Sequence, residues 1–150
     1  MIDDPVSGYG GLRLVSSCVK IALPDRNRQG ARVTQILVVD DDQAIGDLIR
    51  DVLREEGHEI AFVEHLERAA PDLAPDLIIT DLVGVHGYDT DVARAVLSRV
   101  RERYPDVPII VCTGHEQALR ESAQLGAAAV VRKPFTLEAL VKTVADAISR

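Results

Sequence analysis

From residue 36 onward, short apolar runs alternate with stretches whose apolar residues recur at helical spacing. Ile36 to Val39 is a β-branched and leucine run ending in three aspartates, which predicts a buried strand and a polar turn. Between Asp42 and Glu56, the residues Ile45, Leu48, Ile49, Val52 and Leu53 fall on one face of a helix, and Gly57 is its stop. His58 to Val63 predicts a second strand. Glu64 to Ala70 predicts a short helix ended by Pro71. Leu77 to Thr80 predicts a third strand, terminating in Asp81, and a loop with Gly84 and Gly87 follows. Thr90 to Arg103 carries Val92, Val96, Leu97 and Val100 at helical spacing, and Pro105 to Pro108 breaks the chain. Ile109 to Cys112 is a fourth strand, ending in Thr113-Gly114. Glu116 to Leu125 is helical, with Gly126 as its stop. Ala127 to Val131 is a fifth strand, ending in Arg132-Lys133-Pro134. Thr136 N-caps a last helix with Leu137, Leu140, Val141, Val144 and Ile148 on its apolar face.

The pattern is (βα)₅. Strands that are near-continuous apolar runs belong in a parallel sheet covered on both faces. Strand–helix alternation with right-handed crossovers gives a doubly wound α/β sheet. Ligands of such sheets bind beyond the carboxyl ends of the strands, at the switch point in strand order.

Composition narrows the functional classes. At 150 residues and 47% hydrophobic, the chain has the size and apolar content of one globular domain. No apolar run approaches membrane-spanning length, and the N-terminus lacks a secretory pattern, so a cytoplasmic protein is expected. The net charge of −7 is uneven: +2 up to Thr34 and −9 from Gln35 onward. An acidic body repels nucleic acid, so no DNA-binding module is expected. Cys112 reads as a buried core residue, Cys18 lies in a segment with no assignable element, and no Cys/His spacing resembles a zinc site.

The polar residues at the strand ends carry the candidate chemistry. Asp40, Asp41 and Asp42 follow the first strand, Asp81 the third, Thr113 the fourth and Lys133 the fifth. An aspartate after a strand is often a helix N-cap, and that role is expected of Asp42. Convergent carboxylates repel one another, and a hard divalent cation relieves the repulsion. Mg²⁺ suits oxygen ligands and keeps several waters, leaving room for a phosphoryl oxygen. The Lys133 charge and the Thr113 hydroxyl would stabilise a transferring phosphoryl group, with Asp81 as nucleophile.

These motifs resemble the receiver domain of bacterial response regulators over residues 34–150. The matching stretches are Ile36-Leu37-Val38-Val39-Asp40-Asp41-Asp42, Asp76-Leu77-Ile78-Ile79-Thr80-Asp81, Val111-Cys112-Thr113-Gly114 and Lys133-Pro134-Phe135. The resemblance implies a flavodoxin-like fold with a five-stranded parallel sheet in the order 2-1-3-4-5. It implies Mg²⁺ held by Asp40, Asp41, Asp81 and the backbone carbonyl of Val83. Asp81 would be the phosphoacceptor, Thr113 the switch hydroxyl, and Lys133 the partner of Asp81 or its phosphate. The Lys133–Pro134 bond is cis in many members. The implied function is a single-domain switch of a two-component system or phosphorelay, taking a phosphoryl group from a histidine kinase or histidine phosphotransfer protein. By the same resemblance the chain would catalyse only its own phosphorylation and dephosphorylation, so it is not expected to be an enzyme on a free substrate. Its output is expected to be a downstream protein, reached through the fourth helix, fifth strand and fifth helix, a face that can also pair two copies.

Three departures from the family pattern stand out. The loop after Asp81 lacks the usual Met-Pro pair and reaches Gly87 two residues early, which implies greater mobility. Val130 (or Val131) occupies the place of an aromatic switch residue. Residues 1–33 have no counterpart and are read as a poorly ordered tail, or as an arm docking at a sheet edge or over the signalling face. Within them, Gly11 to Leu23 reads as a strand and Pro24 to Arg32 as a linker. His115 is weighed as a group near the phosphoryl site against a solvated histidine, and His86 as a group approaching the metal. Two rival functions stand beside the switch: a phosphorylation-independent interaction module, and a Mg²⁺-dependent phosphatase or phosphotransferase, for which the chain has no room for a cap.

Overall fold

The computed structural model describes residues 33–83 and 86–150. The expected strand in Gly11–Leu23, the linker Pro24–Arg32 and Cys18 lie outside these residues, as do Gly84 and Val85 of the loop after Asp81.

Five strands form one parallel sheet: β1 (Gln35–Val39), β2 (Glu59–Val63), β3 (Leu77–Thr80), β4 (Ile109–Thr113) and β5 (Ala129–Arg132). Their order is β2-β1-β3-β4-β5, as the resemblance implied. Both faces are covered, and alternate residues serve opposite faces. Ile36, Val38, Leu77, Ile79, Ile110 and Cys112 pack toward α1 (Gln43–Glu55) and α4 (Leu137–Ile148). Leu37, Ile78, Ile109 and Val111 pack with Ala93, Leu97 and Val100 of α2 (Thr90–Arg103). Every residue of β3 and β4 is buried, which explains their unbroken apolar reading.

Helix α1 starts as expected, with the Asp42 carboxylate accepting from the Ala44 and Ile45 amides. Thr136 caps α4 by accepting from Ala139. Gly57 has φ +90° beyond the end of α1, a left-handed conformation that glycine adopts without a Cβ penalty.

Three boundaries differ from the sequence reading. The expected helix Glu64–Ala70 is only a 3-10 turn, Leu66–Arg68. Pro71 and Pro75 remove donors and disfavour helical geometry before them, and His65 provides no side-chain cap. The Arg103 guanidinium instead binds the carbonyls of Leu66, Ala69 and Ala70 at 3.0, 2.8 and 2.9 Å. The sheet is therefore flanked by four α-helices and this turn. Helix α3 spans Glu116–Glu121 rather than reaching Leu125, and the Ser122 hydroxyl bonds back to the Ala118 carbonyl at its end. Strand β5 begins at Ala129, because the Ala127 amide goes to the Ser122 carbonyl.

Candidate functional site

The chain leaves β1 for the edge strand β2 and returns to β3 on the other side of β1, so the switch point lies between β1 and β3. Val39 pairs with Thr80 in register. One residue later, Asp40 and Asp81 emerge beside each other at the carboxyl edge.

Lys133 joins them. Its ammonium lies 2.8 Å from Asp40 Oδ2 and 3.0 Å from Asp81 Oδ2. The other oxygen of each carboxylate accepts a main-chain amide: Asp42 N–H to Asp40 Oδ1 and Val83 N–H to Asp81 Oδ1, both at 2.9 Å. The side chains of Asp40 and Asp81 are only 3% and 15% exposed, so the charges meet where water screens them poorly. Burial alone would lower the Lys133 pKa. The hydrogen bonds and charges of Asp40 and Asp81 outweigh it and hold the ammonium well above its ordinary value. The same burial pushes the Cys112 thiol beneath the site up to about 12, so it behaves as an inert core residue.

Asp40, Asp41, Asp81 and Val83 all line one cleft of about 260 Å³ beside the carboxyl edge. All their donors are hard oxygens, the chemistry Mg²⁺ prefers. Among the described residues, no three His, Cys, Asp or Glu side chains converge as a metal cluster. This is compatible with Mg²⁺, which takes one or two carboxylates and retains waters. The residues present therefore fit the ion, with Lys133 balancing the two inner carboxylates. Asp41 is exposed at the rim. Asp42 is the helix cap.

Thr113 is fully buried at the end of β4. Its carbonyl accepts the Lys133 amide at 2.9 Å, and its hydroxyl accepts the His115 amide at 3.2 Å. The Lys133–Pro134 peptide is cis. His86 is exposed. His115 is exposed too, but its ring stacks on Tyr88 with centroids 5.4 Å apart.

One group escaped the sequence reading. Tyr88, Thr90 and Gln117 all donate to the Glu121 carboxylate, at 2.7, 2.8 and 2.9 Å. These hydrogen bonds hold Glu121 below its ordinary carboxyl range. Burial and the bond to Glu121 push Tyr88 up to about 12. The only trace in the sequence is the i, i+4 spacing of Gln117 and Glu121 on a helix.

The family model for the response regulator receiver domain matches residues 36–145. Response regulator protein FleR of Pseudomonas aeruginosa is 35% identical over 116 residues, covering 74% of this chain and 24% of that protein. The DNA-binding response regulator MtrA of Mycolicibacterium smegmatis is 32% identical over 123 residues, covering 77% of this chain and 51% of that protein. The solved receiver domain of NtrX from Brucella abortus aligns with a TM-score of 0.66 at 29% identity, covering 76% of this chain and 98% of that one. The chemotaxis response regulator CheY4 of Vibrio cholerae gives 0.63 at 26% identity, covering 77% of this chain and 99% of that one. The chain spans about a quarter of the length of FleR and of the DNA-binding regulator NtrC from Azospirillum brasilense. Among the described residues, no helix is long and apolar enough to cross a membrane.

Proposed function

The chain belongs to the response regulator receiver family, and from that premise we propose that it accepts a phosphoryl group on Asp81 from a phosphohistidine of a kinase or phosphotransfer protein. The observation that carries this reading is the Lys133 ammonium bridging Asp40 and Asp81 at 2.8 and 3.0 Å. A carboxylate that is to attack phosphorus needs its repulsion from the incoming oxygens screened, and a fixed cation beside it does that without reorganising.

In the transfer, an Asp81 oxygen forms the new P–O bond as the P–N bond to the donor imidazole breaks; the electron pair of that bond stays on nitrogen, and a proton already on the other ring nitrogen lets the imidazole leave neutral. Bound Mg²⁺, held by Asp40, Asp41, Asp81 and the Val83 carbonyl, would supply charge neutralisation at the phosphoryl oxygens. Lys133 stays within reach of the new phosphate. The Thr113 hydroxyl accepts from His115 and keeps its own proton available to donate to a phosphoryl oxygen. The product adds about 1.5 to 2 negative charges at the edge of the sheet. Such a charge biases the loops after β3 and β4 and shifts the population of the face formed by α3, β5 and α4. The acidic balance from Gln35 onward supports a protein rather than a nucleic acid as the partner of this unit.

The test is incubation with Mg²⁺ and acetyl phosphate, followed by intact mass, with Asp81→Asn alongside. One phosphoryl group is expected on the wild-type chain, dependent on Mg²⁺ and absent from the variant. Equal uptake by the variant would remove Asp81 from the role.

A further inference from the structure

Receivers of the resembling pattern often carry an aromatic ring where this chain has Val130. That residue pairs with Val111 of β4 and offers neither ring nor hydroxyl to the turn after β4. A ring reaches this turn from elsewhere. Tyr88 lies seven residues after Asp81, at the end of the shortened loop, and stacks on His115 at 5.4 Å with 28° between the rings.

The contacts around the candidate site form a chain that runs from Asp81 to Tyr88. Asp81 binds the Lys133 ammonium at 3.0 Å. The Lys133 amide binds the Thr113 carbonyl at 2.9 Å. The Thr113 hydroxyl accepts from the His115 amide at 3.2 Å, and the His115 ring lies on Tyr88.

Glu121 fixes the Tyr88 corner. Its Oε2 accepts the Tyr88 hydroxyl at 2.7 Å and the Thr90 hydroxyl at 2.8 Å, while Oε1 accepts the Gln117 amide at 2.9 Å. Helix α3 has only six residues, too few to be stable from its own hydrogen bonds. Glu121 fastens it to the start of α2. The loop residue Tyr88, the turn after β4 and α3 thus meet at the Tyr88 side chain, which stacks on His115 and donates to Glu121.

We propose that Tyr88 is the positioning residue that ties the Thr113 turn and helix α3 to the loop following Asp81, so that a change at Asp81 reaches α3 through the Tyr88 ring and hydroxyl. This rests on Asp81 being the phosphoacceptor. Tyr88 takes over the coupling that Val130 cannot provide. Its hydroxyl does so by a hydrogen bond to a carboxylate, a strong class of contact.

Amide hydrogen exchange on the full chain, read across residues 115–126, tests the link in two arms. In the first, the unphosphorylated wild type is compared with Tyr88→Phe, Glu121→Ala and the double variant. Tyr88→Phe keeps the ring stack and removes only the hydroxyl. Each single change should speed exchange of the α3 amides about tenfold, the loss expected for a hydrogen bond to a charged group. The double variant should exchange no faster than the faster single one. Unchanged exchange, or fully additive effects, would overturn the link. In the second arm, Mg²⁺ and acetyl phosphate are added and uptake is followed by intact mass. A shift in α3 exchange on phosphorylation is expected in the wild type and lost in Tyr88→Phe, although both gain one phosphoryl group. An identical shift in the variant would overturn the coupling alone. No uptake by the wild type would instead overturn the phosphoacceptor reading, and with it the coupling, even where the first arm succeeds.

Discussion

Replacing Lys133 by methionine keeps most of the stem and removes the charge between Asp40 and Asp81. Each ion contact at 2.8 and 3.0 Å is worth ~5 to 6 kcal/mol at an effective dielectric of about 20. Withdrawing the ions from water offsets several kcal/mol of that. The expected destabilisation is therefore ~2 to 4 kcal/mol at pH 7. Saturating Mg²⁺ should narrow the gap between variant and wild type, by supplying a substitute cation that binds only the folded chain. The raised pKa of Lys133 sets the sign at alkaline pH. Its stabilisation is fully present below the unfolded value of about 10.4 and is lost only as pH rises through the higher folded value. Urea unfolding of both proteins at pH 7 and at alkaline pH, with and without Mg²⁺, measures all of this. A variant as stable as the wild type at pH 7 without Mg²⁺ would refute the claim that Lys133 is the counter-charge of the pair.

Two other perturbations test the surrounding fold. A Cβ on Gly46 would lie 2.0 Å from Phe62 Cε2, so Gly46→Ala should lose ~1 to 2 kcal/mol despite alanine's better helix propensity. In a Phe62→Leu background the same change should cost less, and chemical denaturation that finds it stabilising in the wild-type background would contradict the contact. Burial lowers the pKa of His58, whose Nδ1 has no partner, although Glu56 pulls the other way. A lowered pKa means stability is full above the unfolded value of about 6.5 and is lost as pH falls through the folded value. The denaturation midpoint should therefore drop as pH falls below about 6.5, and less steeply in His58→Gln; parallel curves would remove His58 as a cause.

What could be read in the sequence, and what could not, divides by distance along the chain. The five strands were legible because a doubly covered parallel strand is a near-continuous apolar run, as in Leu77 to Ile79, with polar residues confined to the strand ends. Asp40, Asp81 and Lys133 were legible because parallel strands deliver their carboxyl ends to one edge, so position after a strand implies proximity in space. The helix expected at Glu64–Ala70 shrank to a single turn whose carbonyls also take Arg103, more than thirty residues away, as a donor. Nothing local in Leu66 or Ala69 signals that competitor. Helix α3 ends early in a run of turns that closes with the Gly126 amide on the Ala123 carbonyl and the Ala127 amide on the Ser122 carbonyl, a local choice the apolar pattern does not mark. The bond from Tyr88 to Glu121 bridges 33 residues and depends on how α2 and α3 pack. A tyrosine after a glycine in a loop carries no mark of such a partner.

The register of Val39 with Thr80 has a consequence for where this chain can change length. Adding or removing one residue inside β1 or β3 would slide one aspartate by about 3.3 Å and turn it to the opposite face of the sheet. Lys133 would then face a single carboxylate and the cleft would lose half its donors. An alteration after Asp81 has no such effect, since the strand has already delivered its aspartate. The loop to Gly87, two residues shorter than the usual pattern, shows such a shortening beside an intact Asp40–Lys133–Asp81 bridge. Insertions and deletions are thus directed into the connections beyond the strand ends, where they alter how the site reports outward while its charged centre stays in alignment.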